Sequence, residues 1–143
     1  MSHPTPPVPS DDAFEVYFDG ACPACRREMA HYRAQRSSVP IRYTDVVAEP
    51  ERLAVIGISQ RDAIHRLHAR DEQGRVLVGM RAFHGVWTRI PRYAGLARRF
   101  ERLITSRAME SLYARFCDWR FPRRCRDGAC GIDAVSETRM EVP

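Results

Sequence analysis

The sequence predicts a single α/β domain: a mixed sheet of about four strands flanked by helices, with extra helices at the C-terminal end. Three observations predict it. Short β-branched and aromatic runs alternate with helical periodicity in the first half. Two further runs flank Asp71-Glu72-Gln73-Gly74, a turn signal that reads as a hairpin. Beyond residue 80 the apolar residues recur only at helical spacing.

Taken in order, residues 1–12 carry Pro4, Pro6, Pro7 and Pro9 and are expected to be a disordered lead-in. Phe14 to Phe18 reads as a strand ending at Asp19-Gly20. Pro23 suits the first position of a helix, where a missing N–H costs nothing. Cys25, Met29 and Tyr32 then follow at helical spacing until Ser37-Ser38. Val39 to Asp45 reads as a second strand, parallel to the first through a right-handed crossover. A short helix is expected over Glu49 to Ile56, a third strand over Ala63 to Arg70, and a fourth over Arg75 to Val78.

Phe83, Val86, Trp87 and Ile90 mark a helix that Pro91 stops. Leu96, Phe100 and Leu103 mark a second, and Met109, Leu112, Tyr113 and Phe116 a third. These stripes read as core packing. The domain is expected to span residues 13–120, with a basic and polar tail over 121–143.

At 143 residues and 44% hydrophobic, the chain can fill a core without disulfides or metal. Its net charge of +5 is carried by arginine alone, since it contains no lysine. No nucleic-acid-binding motif accompanies that charge, and nucleic acid is not an expected partner. No apolar run is long enough to span a membrane. The polar N-terminus lacks a secretory signal, so the expected compartment is the cytoplasm, where thiols stay reduced. Five cysteines there point to reactive or metal-binding thiols before structural bridges.

The chemistry concentrates in Asp19-Gly20-Ala21-Cys22-Pro23-Ala24-Cys25, between strand and helix. A helix N-terminus carries unpaired N–H groups and partial positive charge. A cysteine there holds its thiolate more easily, and the thiolate is the nucleophile. Cys22 takes that position, and its sulfur is expected to be reachable. Arg26 and Arg27 are expected to add positive charge. Cys25, one turn on, should reach the sulfur of Cys22 while remaining shielded. The implied function is thiol-disulfide exchange on a protein disulfide or a small-molecule thiol, reset by an external reductant, with no cofactor or metal.

Two other readings of the pair stay open. One is a zinc-stabilised binding module in which Cys22 and Cys25 join Cys125 and Cys130. The other is a pair of inert core cysteines.

YFDGACPACRREM resembles the opening of the DCC family of thiol-disulfide oxidoreductases, and GISQRDAIHRLHARDEQGRVLVGMRAFHGVWTRIPRY resembles its middle section. Together the likeness covers roughly residues 14 to 120. It implies a thioredoxin-like (glutaredoxin-like) fold, redox use of Cys22 and Cys25, and a place for Asp19 beside them. That carboxylate could orient the loop or handle protons; it could equally be a turn-former beside Gly20. One departure stands out. Thioredoxins proper place a cis-proline just before the third strand to help bind substrate backbone, and SQRDAIHRLH has none. Substrate docking must therefore differ.

The remaining candidates are weaker. His65 and His68, on one strand, would face opposite ways and not share a metal. His31 and His84 read as surface or packing residues. Arg81, at the corner after the fourth strand, is a candidate for holding an anionic thiol. Cys117 reads as a packed thiol in the last helix. Cys125 and Cys130 could form a relay disulfide or be tail thiols without function.

Overall fold

The computed structural model describes residues 12–126. Its elements run β1 (Phe14–Phe18), α1 (Pro23–Ala34), β2 (Ile41–Asp45), a 3₁₀ turn (Pro50–Val55), α2 (Gln60–His65), β3 (His68–Arg70) and β4 (Val76–Val78). They continue as α3 (Met80–Arg89), α4 (Pro91–Arg99), α5 (Glu101–Ile104) and α6 (Arg107–Arg126). The sheet order is β2-β1-β3-β4. β1 and β2 pair in parallel, Phe14 opposite Ile41 and Phe18 opposite Asp45. β3 is antiparallel to both β1 and β4. This is the mixed four-stranded sheet flanked by helices that a thioredoxin-like fold requires.

β1 is central, so both its faces are covered and all five of its residues are buried. Phe14, Val16 and Phe18 point into one core with Met29 and Tyr32 of α1, Ala82 and Val86 of α3, and Ile90 between α3 and α4. Tyr17 points the other way, into a second core with Val46, Leu53, Ala63 and Ile64. Glu15 shares that second face and is fully buried. It accepts hydrogen bonds from Thr44 (2.7 Å) and from Arg52 (2.8 and 3.0 Å), with Arg70 at 3.4 Å. A strand read from sequence as an apolar run therefore carries a neutralised carboxylate through the middle of the domain.

Four expectations change. The later apolar stripes are not all core packing, since Leu96, Phe100, Leu103, Leu112 and Phe116 are exposed. The third strand is only His68–Arg70, because residues 60–65 form α2. Ser59 caps that helix by accepting from the Asp62 N–H at 3.1 Å. The Ser-x-x-acid spacing of a helix start was present in the sequence. Pro91 does more than stop α3: it is the first residue of α4, with Ile90 alone between it and the end of α3 at Arg89. Finally, α6 passes through Pro122 to Arg126, so residues 121–126 are helical, not the start of a tail. Phe121 holds that end in place, packing on the second core and stacking on His65 at 4.9 Å between ring centres. The expected lead-in and the tail beyond residue 126 lie outside the described residues. Among the described residues, no helix is long and apolar enough to cross a membrane.

Candidate functional site

The loop between β1 and α1 is fixed from two sides. Asp19 accepts the Ala21 N–H on its carboxylate (3.1 Å) and the Cys22 N–H on its carbonyl (3.2 Å). From the end of β2, Asp45 accepts the N–H groups of Gly20 (3.1 Å) and Val47 (2.9 Å). A Cβ on Gly20 would run into the Asp45 carboxylate, so a larger residue here would push that side chain off its hydrogen bonds to the loop.

This loop delivers Cys22 to the N-cap of α1, with Pro23 as the first helical residue. Its Sγ accepts the Cys25 backbone N–H at 3.4 Å and lies 2.8 Å from the Cys25 Sγ, whose thiol donates to it. The Cys22 thiol is pulled down to about 5, first by the hydrogen bond from Cys25 and then by its backbone N–H and the charge of Arg120, against burial and Asp19. The same hydrogen bond, with burial, pushes the Cys25 thiol far up. The pair is polarised: one sulfur holds the negative charge and the other keeps the proton.

Two details correct the sequence reading. Cys22 is only 5% exposed, while Cys25 is partly exposed. The N-cap geometry folds the Cys22 sulfur back over the first helical turn, so it does not project into solvent. The cation acting on Cys22 is Arg120 of α6; Arg26 and Arg27 stand exposed on α1. Arg120 is itself anchored, with Nη2 donating to the Ile64 carbonyl at 2.7 Å and Nη1 3.4 Å from Asp19 Oδ2. Its side chain is 14% exposed.

Behind the sulfurs lies a cavity of about 60 Å³, lined by Cys25, Glu28, Cys117 and Arg120 among others. Burial pushes the Glu28 carboxyl up, and the charge on Cys22 adds to the effect. Tyr32 donates to Glu28 at 2.7 Å, and Trp87 Nε1 donates to the Tyr32 hydroxyl at 2.9 Å. Sequence reasoning passed over Glu28 and Arg120. Glu28 lies three residues past Cys25, one helical turn along the same face, which is a legible signal. Arg120 had none, being one arginine among many.

The lesser candidates fall elsewhere. His65 belongs to α2 and pairs with Asp118 at 2.7 Å, whereas His68 is buried on β3 with Nδ1 2.8 Å from the Arg66 carbonyl. His31 contacts the Tyr93 hydroxyl, and His84 is half-buried in α3. Arg81 is exposed, and the α3 N-terminus beside it already holds an anion: Met80 N–H donates to Glu110 of α6 at 2.9 Å. Cys117 is buried in α6, as read from the sequence. The four-cysteine zinc alternative falls on the Cys125 side chain and on Cys130, outside what is described.

No curated protein and no solved structure matches this chain. A family model does, over residues 16–126, which takes in the cysteine pair, the sheet from Val16 onward and all of α6. Within that span lie the N-cap thiolate position, its neighbouring thiol donor and the arginine that faces both. The chain belongs to the family described as DCC1-like thiol-disulfide oxidoreductases.

Proposed function

We propose that the protein reduces disulfides in other polypeptides, with Cys22 as nucleophile and Cys25 as resolving thiol. The observation that carries this reading is the 2.8 Å approach of the two sulfurs, with the proton on Cys25 and the charge on Cys22. The Cys22 thiolate attacks one sulfur of the substrate disulfide. A Cys22–substrate bond forms, and the substrate's other sulfur leaves as thiolate. Cys25 then loses its proton and attacks Cys22. The substrate leaves fully reduced, and the two electrons it gained are those lost in forming the Cys22–Cys25 bond. An external dithiol restores the pair.

The resolving step needs a proton acceptor, because Cys25 holds its proton tightly while Cys22 is charged. That charge is lost in the mixed disulfide, and with it the strongest hold on the proton. Glu28 shares the cavity with Cys25, and the space can hold a bridging water. Its raised carboxyl suits proton exchange nearer neutrality. Asp19 serves differently: it shapes the loop and pairs with Arg120. The expected setting is a reducing compartment, the cytoplasm, where a glutathione pool keeps the pair reduced.

The test is turnover of a peptide disulfide in the presence of excess dithiol. Cys22→Ser is expected to be inactive. Incubated with the peptide disulfide before any dithiol is added, Cys25→Ser is expected to accumulate a covalent enzyme–substrate adduct, visible on a non-reducing gel and released once dithiol follows. Wild-type turnover by either variant overturns the assignment.

A further inference from the structure

The two sides of the cysteine pair differ. On the α6 side the backbone is already occupied. The Leu67 N–H, just ahead of β3, donates to the Tyr113 hydroxyl at 2.9 Å, and its carbonyl accepts from Gly79 at 2.8 Å. The Ile64 carbonyl accepts from Arg120. No substrate strand can pair there without displacing α6. On the other side α1, α3, α4 and α5 enclose an open trough of about 700 Å³, within the size range of ligand sites. Trp87, Tyr93, Phe100, Leu96 and Ile104 form its apolar walls. Leu96 is 63% exposed and Phe100 42%, an apolar surface that solvent alone does not favour.

The trough shares one wall residue with the cavity beside Cys25. Glu28 lines both the trough and the small cavity that holds Cys25. Arg27 lines the trough, and two more arginines stand against its wall residues: Arg92 over the Tyr93 ring at 6.0 Å and Arg99 over the Phe100 ring at 5.9 Å. Against these cations the lining offers one carboxyl, Glu28, already engaged by Tyr32. Two copies of this chain meeting here would bring like charges together. A trough open to solvent across four helices leaves an occupant's ends free, as a polypeptide requires.

We propose that this trough binds an apolar, acidic segment of the polypeptide whose disulfide is reduced, holding it on the α1 side of the cysteine pair. The proposal deepens the reductase reading and rests on it. Apolar side chains of the segment lie against Trp87, Tyr93 and Phe100, while its carboxylates meet these arginines. This supplies docking where a cis-proline edge is lacking.

The experiment uses peptide disulfides flanked by Leu, Phe and Asp, the same peptides with Lys for Asp, and a fluorescent redox-inert version with Ser for Cys. Wild type is expected to bind the inert acidic peptide and to show a KM about tenfold or more lower for the acidic than for the basic substrate. Leu96→Glu, at an exposed position that tolerates charge, is expected to weaken binding and raise that KM about tenfold. Leu112→Glu, equally exposed on α6, should change neither. Equal KM for the two peptides, or binding unaffected by Leu96→Glu, overturns the proposal. So does a dimer that Leu96→Glu dissociates, or a chain lacking residues 127–143 whose KM falls as the trough is vacated. If the inert peptide binds as expected but no disulfide is turned over, the reductase reading fails and the trough stands.

Discussion

Arg120 lies 3.4 Å from Asp19, although 101 positions separate them in the chain. The pair joins the last helix to the cysteine loop and sets a fixed cation beside two sulfurs. Arg120→Met removes that cation while leaving Asp19 in place, so Cys22 should hold its proton more firmly. The midpoint of the pH profile for Cys22 alkylation by iodoacetamide should rise by about one unit or more, since a close opposite charge is worth that much. Arg120→Lys should recover part of the shift. A purely structural role for Arg120 would lower thermal stability and leave the midpoint where it was.

Glu28→Gln retains the hydrogen bond from Tyr32 but cannot take a proton. Capture of substrate by Cys22 should survive, while release slows by about 10²-fold, a usual loss for a missing proton-transfer group. The adduct should then accumulate in single-turnover experiments at neutral pH. In wild type, release should slow as the pH falls through the raised Glu28 value, and the variant should lack that dependence. Release at the normal rate would transfer the role to another group.

A thiol held at about 5 makes the reduced state comparatively stable. The Cys22–Cys25 couple should therefore lie above the roughly −270 mV of thioredoxin when equilibrated with glutathione. The same shift acts on stability. Because the folded-state value of Cys22 lies below its usual 9, its contribution is complete above pH 9 and is lost as the pH falls through 5. Thermal melts of the reduced protein against Cys22→Ser, followed from pH 5 to pH 9, should diverge steadily in favour of the cysteine.

Glu15 is held ionised within the sheet, its carboxyl lowered by Arg52 and Thr44 against strong desolvation. Glu15→Ala leaves Arg52 and Arg70 facing a void at the centre of the fold. The cost should be about 3–5 kcal/mol in urea unfolding, the range for breaking a buried ion pair on one side. The native carboxylate should also make the protein acid-sensitive: its contribution is present above the usual carboxyl value of 4.5 and fades as the pH drops through the lowered one. Glu15→Gln should flatten that acid limb.

The sequence by itself determined the strand–loop–helix unit that carries Cys22 and Cys25, the parallel pairing of β1 with β2 and the hairpin that follows. Those features depend on neighbours a few positions apart: Pro23 beginning a helix, Asp19-Gly20 turning the chain, alternation along a strand. Only the tertiary structure decided that Cys22 is buried, that Arg120 and not Arg26 or Arg27 faces it, and that Glu110 fills the α3 N-terminus, beside which Arg81 was one candidate for holding an anionic thiol. It also decided which side of the cysteine pair is closed and which is open. These outcomes follow from the packing of α6 against α2 and α3, which brings distant residues into contact, and no local pattern of charge or hydrophobicity encodes which of many arginines arrives there.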